Sequence, residues 1–251
     1  MKRSIDLNCD MGEGFASDAA IIPHVTSVNI ACGYHAGDPA TMQKTVRLAT
    51  DHGVAIGAHP GLPDRANFGR RVMPVTPQEV YDMVLDQARA LGAIAAAEGA
   101  VVRHLKPHGA LYNMAAKDAS IAKVIAEATR DFNPACILVG LAGSEAIKAG
   151  ENTGLRTASE AFVDRTYQAD GSLTSRDLPD ALIHDPALAA ERVLQMVLHG
   201  TVTSQQGTEL SLRPDTICIH GDSPGAVEFA KAIRERLKRE GIEVRCLSGT
   251  A

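Results

Sequence analysis

The stretch LKPHGALYN, from Leu105 to Asn113, ends an apolar run with a dense group of polar side chains. Pro107 removes a backbone hydrogen-bond donor and Gly109 permits a sharp turn, so a strand that reaches Lys106 is expected to end there. In parallel α/β proteins, polar side chains at such strand ends face the place where ligands bind. We therefore predict that Lys106 and His108 lie at the mouth of a binding site.

Four other apolar runs end in the same way, at the segments LNCDMGEG, NIACGYHAGDP, AIGAHPG and ICIHGDSP. Strand-like runs alternate with amphipathic helical segments along all 251 residues, and no linker or internal repeat interrupts them. This alternation predicts a parallel sheet with right-handed crossovers in a single domain, residues 1–251. Seven or eight such units favour a closed barrel, and an open doubly wound sheet is the alternative. An eighth strand would fall at Ile242 to Leu247.

Helix starts are marked by capping residues that precede a proline. The pairs are Asp38-Pro39, Thr76-Pro77, Asp185-Pro186 and Ser223-Pro224. Between residues 168 and 184 the periodic pattern fails, which predicts a long loop, and such loops in compact domains are commonly functional. The next segment, residues 201–214, is a candidate hairpin.

Composition narrows the class of protein. The formal charge of −5 and the isoelectric point near 6.0 argue against nucleic acid or an anionic membrane surface as the main partner. Neither a long apolar run nor an apolar signal region after Met1 is present, so we expect no transmembrane helix and no secretion signal. Five cysteines without paired spacing favour reduced thiols, and we predict a cytoplasmic protein.

Six long motifs carry a family resemblance. They are DLNCDMGEGF, VNIACGYHAGDP, GVAIGAHPGLPDRANFGRR, HLKPHGALYN, EAFVDRTYQADGSLTSR and CIHGDSPGAV. In order and spacing, from about residue 4 to residue 240, they resemble the LamB/YcsF family. The resemblance implies a (β/α)7-type barrel, a variant of the TIM barrel related to the glycoside hydrolase and deacetylase barrels. It also implies ATP-dependent cleavage of the lactam of 5-oxo-L-proline to L-glutamate, with ADP and phosphate formed, together with two partner subunits.

The residues at the strand ends suit this chemistry. Phosphorylation of a lactam oxygen requires cationic groups and commonly Mg²⁺, and ring opening requires a base and hydrogen-bond donors. The predicted catalytic residues are Asp10, Lys106, His108, Glu160 and Asp222. The residues predicted to bind substrate or phosphate are Glu13, His35, His59, Arg70, Arg71, Tyr112, Asn113, Arg165 and His220. The motif GxxxxGK[ST] is absent, so any ATP site here is not a P-loop.

A divalent metal other than Mg²⁺ is a further candidate cofactor, with ligands gathered from separate strands. Analogy with the deacetylase barrels suggests Asp10, His35 and His59. Each of these residues also has a purely structural interpretation. Lys106, for example, could form a salt bridge that stabilises the barrel. The remaining histidines, His104 among them, are predicted to lie away from the mouth or in helices.

Two other functions stay open. The histidines and aspartates of the mouth favour a metal-dependent deacetylase or amidase that needs no ATP. A non-catalytic substrate-binding subunit of a larger enzyme is the third interpretation. The sequence leaves open which carboxylate acts as the base, where ATP binds and which half-reaction this chain performs. The oligomeric state, including a homo-oligomer, is equally open.

Overall fold

Seven parallel strands close into a barrel in the structure, a computed structural model that describes residues 3–221 and 225–247. The strands of these residues are β1 (Ser4–Met11), β2 (Ser27–Ala31), β3 (Ala55–His59), β4 (Val102–Leu105), β5 (Ile137–Leu141), β6 (Arg156–Phe162), β7 (Thr201–Thr203), β8 (Glu209–Ser211), β9 (Thr216–Ile219) and β10 (Glu243–Val244). The barrel order is β1, β2, β3, β4, β5, β6 and β9, and β9 pairs with β1. The predicted closed (β/α)7 barrel is confirmed.

Helices connect the strands and surround the barrel. The α-helices of the described residues are α1 (Asp18–Ile21), α2 (Pro39–Asp51), α3 (Pro77–Ala97), α4 (Gly109–Lys117), α5 (Ala119–Phe132), α6 (Glu145–Asn152), α7 (Pro186–His199) and α8 (Ala226–Arg239). As predicted, the side chains of Asp38, Thr76 and Asp185 accept hydrogen bonds from backbone N–H groups at the starts of α2, α3 and α7. The predicted cap Ser223-Pro224 lies outside the described residues.

Three boundaries differ from the predicted ones. The first strand was predicted to span Ser4 to Asn8, but β1 continues through Asp10 to Met11, so this carboxylate belongs to the barrel wall rather than to a loop. The segment after Lys106 is more than a turn, because Gly109 begins helix α4. Within the predicted eighth strand only the two residues of β10 are extended, and they pair with the first residues of β1. Since β9 has already closed the barrel against β1, β10 has no place in it.

The long loop and the hairpin are both present. Residues 168–184 lack helices and strands, and isolated bridges join Arg165 to Leu182 and Tyr167 to Leu173. Strands β7 and β8 form the antiparallel hairpin predicted for residues 201–214. Within the described residues, no helix combines the length and the apolar character required to cross a membrane.

Strand β1 shows how the barrel divides its two faces. Its residues are buried on both sides, and polar Asp6, Asn8 and Asp10 alternate with apolar or small side chains. Because successive side chains of a strand point to opposite faces, the polar set faces the barrel interior and the other set faces the helices. The interior amide of Asn8 donates to Glu160 Oε1 at 2.9 Å and to Thr216 Oγ1 at 2.7 Å. The interior is therefore a hydrogen-bonded polar core within an apolar shell.

His104 occupies this interior, and Gly57 makes room for it. A Cβ placed on Gly57 would lie 2.1 Å from His104 Nε2, closer than any real contact between such atoms. The same nitrogen hydrogen bonds to Asn29 Oδ1 at 2.8 Å, which fixes the ring against β2. His104 was predicted to lie away from the mouth or in a helix, and it lies on β4 inside the barrel. Its position two residues before Lys106 on a strand places both side chains on one face.

We predict that Gly57→Ala lowers the free energy of unfolding by about 1–3 kcal/mol, because the added methyl group overpacks the interior against the His104 ring. Chemical denaturation measures the change. The matched control is the same substitution in a His104→Ala background, where the clashing ring is absent and the cost should fall. An equal cost in both backgrounds would show that the ring is not the cause.

Candidate functional site

A cavity of about 430 Å³ opens at the carboxyl ends of the barrel strands. Its deeper wall includes Asp10, Lys106 and His108, which come from the ends of β1 and β4. Its outer wall includes residues 172–177 of the long loop and Arg165. The prediction of one mouth shared by several strand ends therefore agrees with the structure, which adds the long loop as a side wall.

Three histidines and a glutamate meet beside this cavity. Glu13 follows β1, His35 follows β2, His59 ends β3, and His108 precedes the first residue of α4. Glu13 Oε1 lies 3.2 Å from His35 Nε2, 3.4 Å from His108 Nδ1 and 3.9 Å from His59 Nε2. The His35 and His108 rings are parallel, with centroids 3.8 Å apart. We call these four residues the histidine cluster.

Backbone carbonyl groups fix the tautomers of two of these rings. His59 Nδ1 lies 2.7 Å from Lys106 O and His108 Nε2 lies 2.8 Å from Phe68 O, and a carbonyl oxygen can only accept, so both nitrogens carry hydrogen. The other nitrogens, His59 Nε2 and His108 Nδ1, then present lone pairs to each other across 3.0 Å. Two facing lone pairs repel unless a proton or a metal ion lies between or beside them.

The donor set of the histidine cluster suits a divalent metal. Burial, followed by the charge of His59, lowers the pKa of His108 to about 3, which leaves this ring neutral and able to offer a lone pair. The four donor atoms of the histidine cluster all lie within 4.8 Å of one another. In proteins, imidazole and carboxylate ligands suit Zn²⁺ and other transition-metal ions, whereas Mg²⁺ prefers oxygen ligands.

The structure groups the predicted metal ligands differently from the prediction. His35 and His59 lie in the histidine cluster as expected, but their carboxylate neighbour is Glu13. Asp10 lies to one side, with its Oδ2 3.3 Å from His59 Nε2. His108, which the sequence suggested as a catalytic residue, is a fourth member of the donor set. Glycines give the rings space, since a Cβ on Gly61 would lie 2.5 Å from His35 Nδ1.

Lys106 lies beneath the cavity in a buried network of charges. Its Nζ is 3.0 Å from Asp10 Oδ1, 2.9 Å from Glu160 Oε1 and 3.1 Å from Cys218 Sγ. Burial alone would lower the pKa of Lys106, but the charges of Asp10 and Glu160 hold it well above its ordinary value. For Asp10, burial raises the pKa, and the charges of His59 and Lys106 outweigh burial and leave it well below its ordinary value. Lysine and aspartate are therefore charged together.

His220 lies on another side of the cavity and is oriented by an aspartate. Its Nδ1 is 2.7 Å from Asp164 Oδ1, and its ring stacks on Phe162 with centroids 5.3 Å apart. A carboxylate at Nδ1 leaves Nε2 as the nitrogen available to a ligand. Asp164 was not predicted as a site residue, although it follows β6, the strand that contains Glu160, and directly precedes Arg165. Asp222, a predicted catalytic residue, lies outside the described residues.

The predicted cationic and polar residues of the mouth separate into two groups. Arg165, Arg70, Tyr112 and Asn113 line the cavity, whereas Arg71 is exposed and does not. Arg165 is 8% exposed, and its Nε has no hydrogen-bond partner within the described part of the chain. Burial, followed by the charge of Arg176, lowers the pKa of Arg165 to about 10, so this guanidinium stays protonated at neutral pH. A buried guanidinium with such an N–H at a cavity wall is a site for an anionic group of a ligand.

We predict that the metal-free chain takes up about one Zn²⁺ or Co²⁺ ion, and that His108→Ala weakens this binding by roughly tenfold or more because a donor is lost. Isothermal titration and elemental analysis measure affinity and stoichiometry. His52→Ala is the matched control, since His52 is exposed on the surface after α2. Equal metal affinity in His108→Ala and wild type would remove His108 from the donor set.

Comparison with known proteins agrees with this geometry. The chain matches the LamB/YcsF family over residues 5–251. A relative from Geobacillus thermodenitrificans (strain NG80-2), which carries the name of a 5-oxoprolinase subunit, is 56% identical over 249 residues, 98% of this chain and 97% of the relative. The crystal structure of a lactam utilization protein from Thermus thermophilus has a TM-score of 0.92 at 46% identity, covering 97% of this chain and 100% of that chain.

A more distant structure shares the fold alone. The family 4 carbohydrate esterase from Streptomyces lividans has a TM-score of 0.52 at 12% identity, covering 98% of this chain and 94% of that one. It supports the barrel fold and nothing beyond the fold. The match over nearly the whole chain, and the level of identity to the Geobacillus relative, decide the relationship. The chain belongs to the LamB/YcsF family.

Proposed function

We propose that this chain opens the lactam ring of 5-oxo-L-proline to give L-glutamate, as one subunit of an ATP-dependent 5-oxoprolinase that contains two partner subunits. The observation that carries the proposal is the histidine cluster beside a charged Asp10–Lys106 pair at one cavity, an arrangement suited to hydrolysis of an amide. The choice of a lactam as the substrate follows the names of the Geobacillus and Thermus relatives, which are those of a 5-oxoprolinase subunit and a lactam utilization protein.

Within this proposal, the ring-opening half of the reaction belongs to this chain. Ring opening adds water to the phosphorylated ring carbon, breaks the carbon–nitrogen bond and protonates the nitrogen that leaves. A second water molecule then releases phosphate from the acyl phosphate that remains. When bound at the histidine cluster, a divalent cation would polarise a carbonyl oxygen and lower the pKa of a water molecule. Asp10, charged and facing the cavity, is placed to accept a proton from water.

The other steps use residues around the same cavity. His220, oriented by Asp164, is placed to donate a proton to the departing nitrogen through Nε2. The positive charge of Lys106, which is held in place by Glu160, lies beside the cavity and favours negative charge that develops on the reacting group. The same fixed network leaves few groups to reorganise during the reaction, which is the usual advantage of a preorganised site.

The ATP-dependent half of the reaction is assigned to the complex with the partner subunits rather than to this chain by itself. A five-membered lactam is a stabilised amide, and phosphorylation of its oxygen by ATP with Mg²⁺ makes the ring carbon more reactive. Three imidazoles in the donor set of this chain suit a transition metal better than Mg²⁺, which supports a division of labour between subunits. The requirement for ATP and the free cysteines of the described residues favour a reaction in the cytoplasm.

Release of glutamate from 5-oxo-L-proline tests the proposal directly. The whole chain is assayed alone and with its two partner subunits, each with and without MgATP. We expect glutamate only when all three subunits and MgATP are present. Glutamate from this chain alone without ATP would favour the ATP-independent amidase instead. No glutamate under any condition would contradict the proposal.

We predict that Arg165→Ala lowers kcat/KM for 5-oxo-L-proline by roughly tenfold to a hundredfold, because the substrate carboxylate loses a charge-assisted partner worth about 1.5–3 kcal/mol. The KM should account for most of the change, since binding of a remote carboxylate is similar in the ground and transition states. Arg130→Ala, on the exposed surface of α5, is the control. An unchanged kcat/KM in Arg165→Ala would show that the carboxylate binds elsewhere.

A further inference from the structure

A second set of metal-ligating side chains adjoins the histidine cluster. Asp10, Cys218 and His220 each offer one donor atom, and these atoms all lie within 4.8 Å of one another. They belong to β1, to β9 and to the residue that follows β9. Carboxylate, thiolate and imidazole are the common ligands of Zn²⁺ and Co²⁺ in proteins. By ligand type and spacing, this trio has the donor set of a metal site.

The ammonium of Lys106 already stands among these donors. It contacts Asp10 Oδ1 at 3.0 Å, Cys218 Sγ at 3.1 Å and Glu160 Oε1 at 2.9 Å, with Asn8 Oδ1 further away at 3.3 Å. An ammonium group carries one positive charge and three hydrogen-bond donors, so the three nearest acceptors are enough to satisfy it. Lys106 and Glu160 are 2% and 0% exposed, so solvent has little access to these contacts.

Asp10 joins the two cation positions. Its Oδ1 accepts from Lys106 Nζ at 3.0 Å and from Asn29 Nδ2 at 2.7 Å, and its Oδ2 lies 3.3 Å from His59 Nε2 in the histidine cluster. One carboxylate oxygen therefore faces each cation. This is the arrangement of a carboxylate that bridges two metal ions, with one of the two positions taken by a side chain.

We propose that Lys106 replaces a second metal ion, and that its removal converts a site for one divalent cation into a site for two. In the wild-type chain the ammonium blocks Asp10, Cys218 and His220 from metal. Without it, these groups and Glu160 surround a buried space whose negative charge has no counterion. A metal entering that space displaces the thiol proton of Cys218, which passes to solvent.

Replacement of a second cation by Lys106 is argued from the geometry beside the histidine cluster and does not depend on which substrate the chain uses. It also explains why a lysine occurs at the centre of a hydrolytic site. A covalently attached cation cannot be removed by a chelator or lost at low metal concentration. The wild-type site therefore keeps one positive charge beside the cavity whether or not a metal is bound.

Cobalt titration of the whole chain tests the inference. Metal-free wild type, Lys106→Met and the surface control Lys123→Met are titrated with Co²⁺, and cobalt per chain is measured by elemental analysis. Absorbance in the near ultraviolet detects a charge-transfer band from a cysteine thiolate bound to Co²⁺. We expect about one cobalt without this band in wild type and Lys123→Met, and about two cobalts with the band in Lys106→Met.

A double variant identifies the sulfur ligand. Lys106→Met combined with Cys218→Ser should lose the thiolate band, because the other cysteines lie outside the trio. A Lys106→Met variant that binds about one cobalt without the band would overturn the inference, as would a wild type that binds about two with the band. Neither measurement uses glutamate release, so failure here is separate from failure of the proposed function.

Loss of the ammonium leaves buried carboxylates that oppose folding, and the design allows for this. Lys106→Gln keeps hydrogen bonding while removing the charge, and both variants are refolded in the presence and absence of Co²⁺. We expect Co²⁺ to raise the Tm of the lysine variants more than that of wild type, since the metal restores the missing counterion. An equal rise in all proteins counts against the inference. Refolding of the lysine variants that succeeds only in the presence of Co²⁺ supports the inference, and failure to refold under both conditions counts against it.

Discussion

The buried contact of Lys106 with Asp10 and Glu160 is the constraint on which the barrel and its site both depend. Burying one charge without partners is costly, and two carboxylates around one ammonium satisfy the requirement only when their strands are correctly placed. Asp10 belongs to β1, Glu160 to β6, and Lys106 follows β4. The ion network therefore ties three separated parts of the barrel to one geometry, and it does so directly beneath the cavity.

The surrounding interior continues this polar character. Asn8, Asn29 and Thr216 bridge the charged groups, and each donates or accepts within the barrel rather than to solvent. Such a core gives less stabilisation than an apolar one, and stability must come from the apolar faces between strands and helices. Residues such as Leu91 and Ile125 are fully buried there. Rigidity at the site and stability of the fold are thus supplied by different layers.

Asp10 connects the ion network to the histidine cluster. Because one oxygen faces the ammonium and the other faces His59, a change in either cation position alters the environment of the other. The tautomers of His59 and His108 are set by carbonyl groups of the strand ends and the loop after β3, so the backbone itself determines which nitrogens can bind a metal. The charge of Lys106, the environment of the histidine cluster and the geometry of the strand ends are consequently coupled.

Local chemistry was sufficient to predict the barrel, its helix starts and most of the mouth. Alternating apolar runs, the caps at Asp38 and Thr76, and polar strand ends are short-range patterns. Such patterns can be interpreted without knowing which residues meet in three dimensions. The placement of Glu13, rather than Asp10, with three histidines depended on strand register and loop packing, which bring together residues as distant along the chain as Glu13 and His108. The same holds for His104, whose inward direction follows from β4, and for Asp164, whose partner His220 lies 56 residues away. The sequence by itself determined which kinds of chemical group lie at the strand ends. Only the tertiary structure decided which of them meet, because that depends on distances between strands that are neighbours in space and distant along the chain.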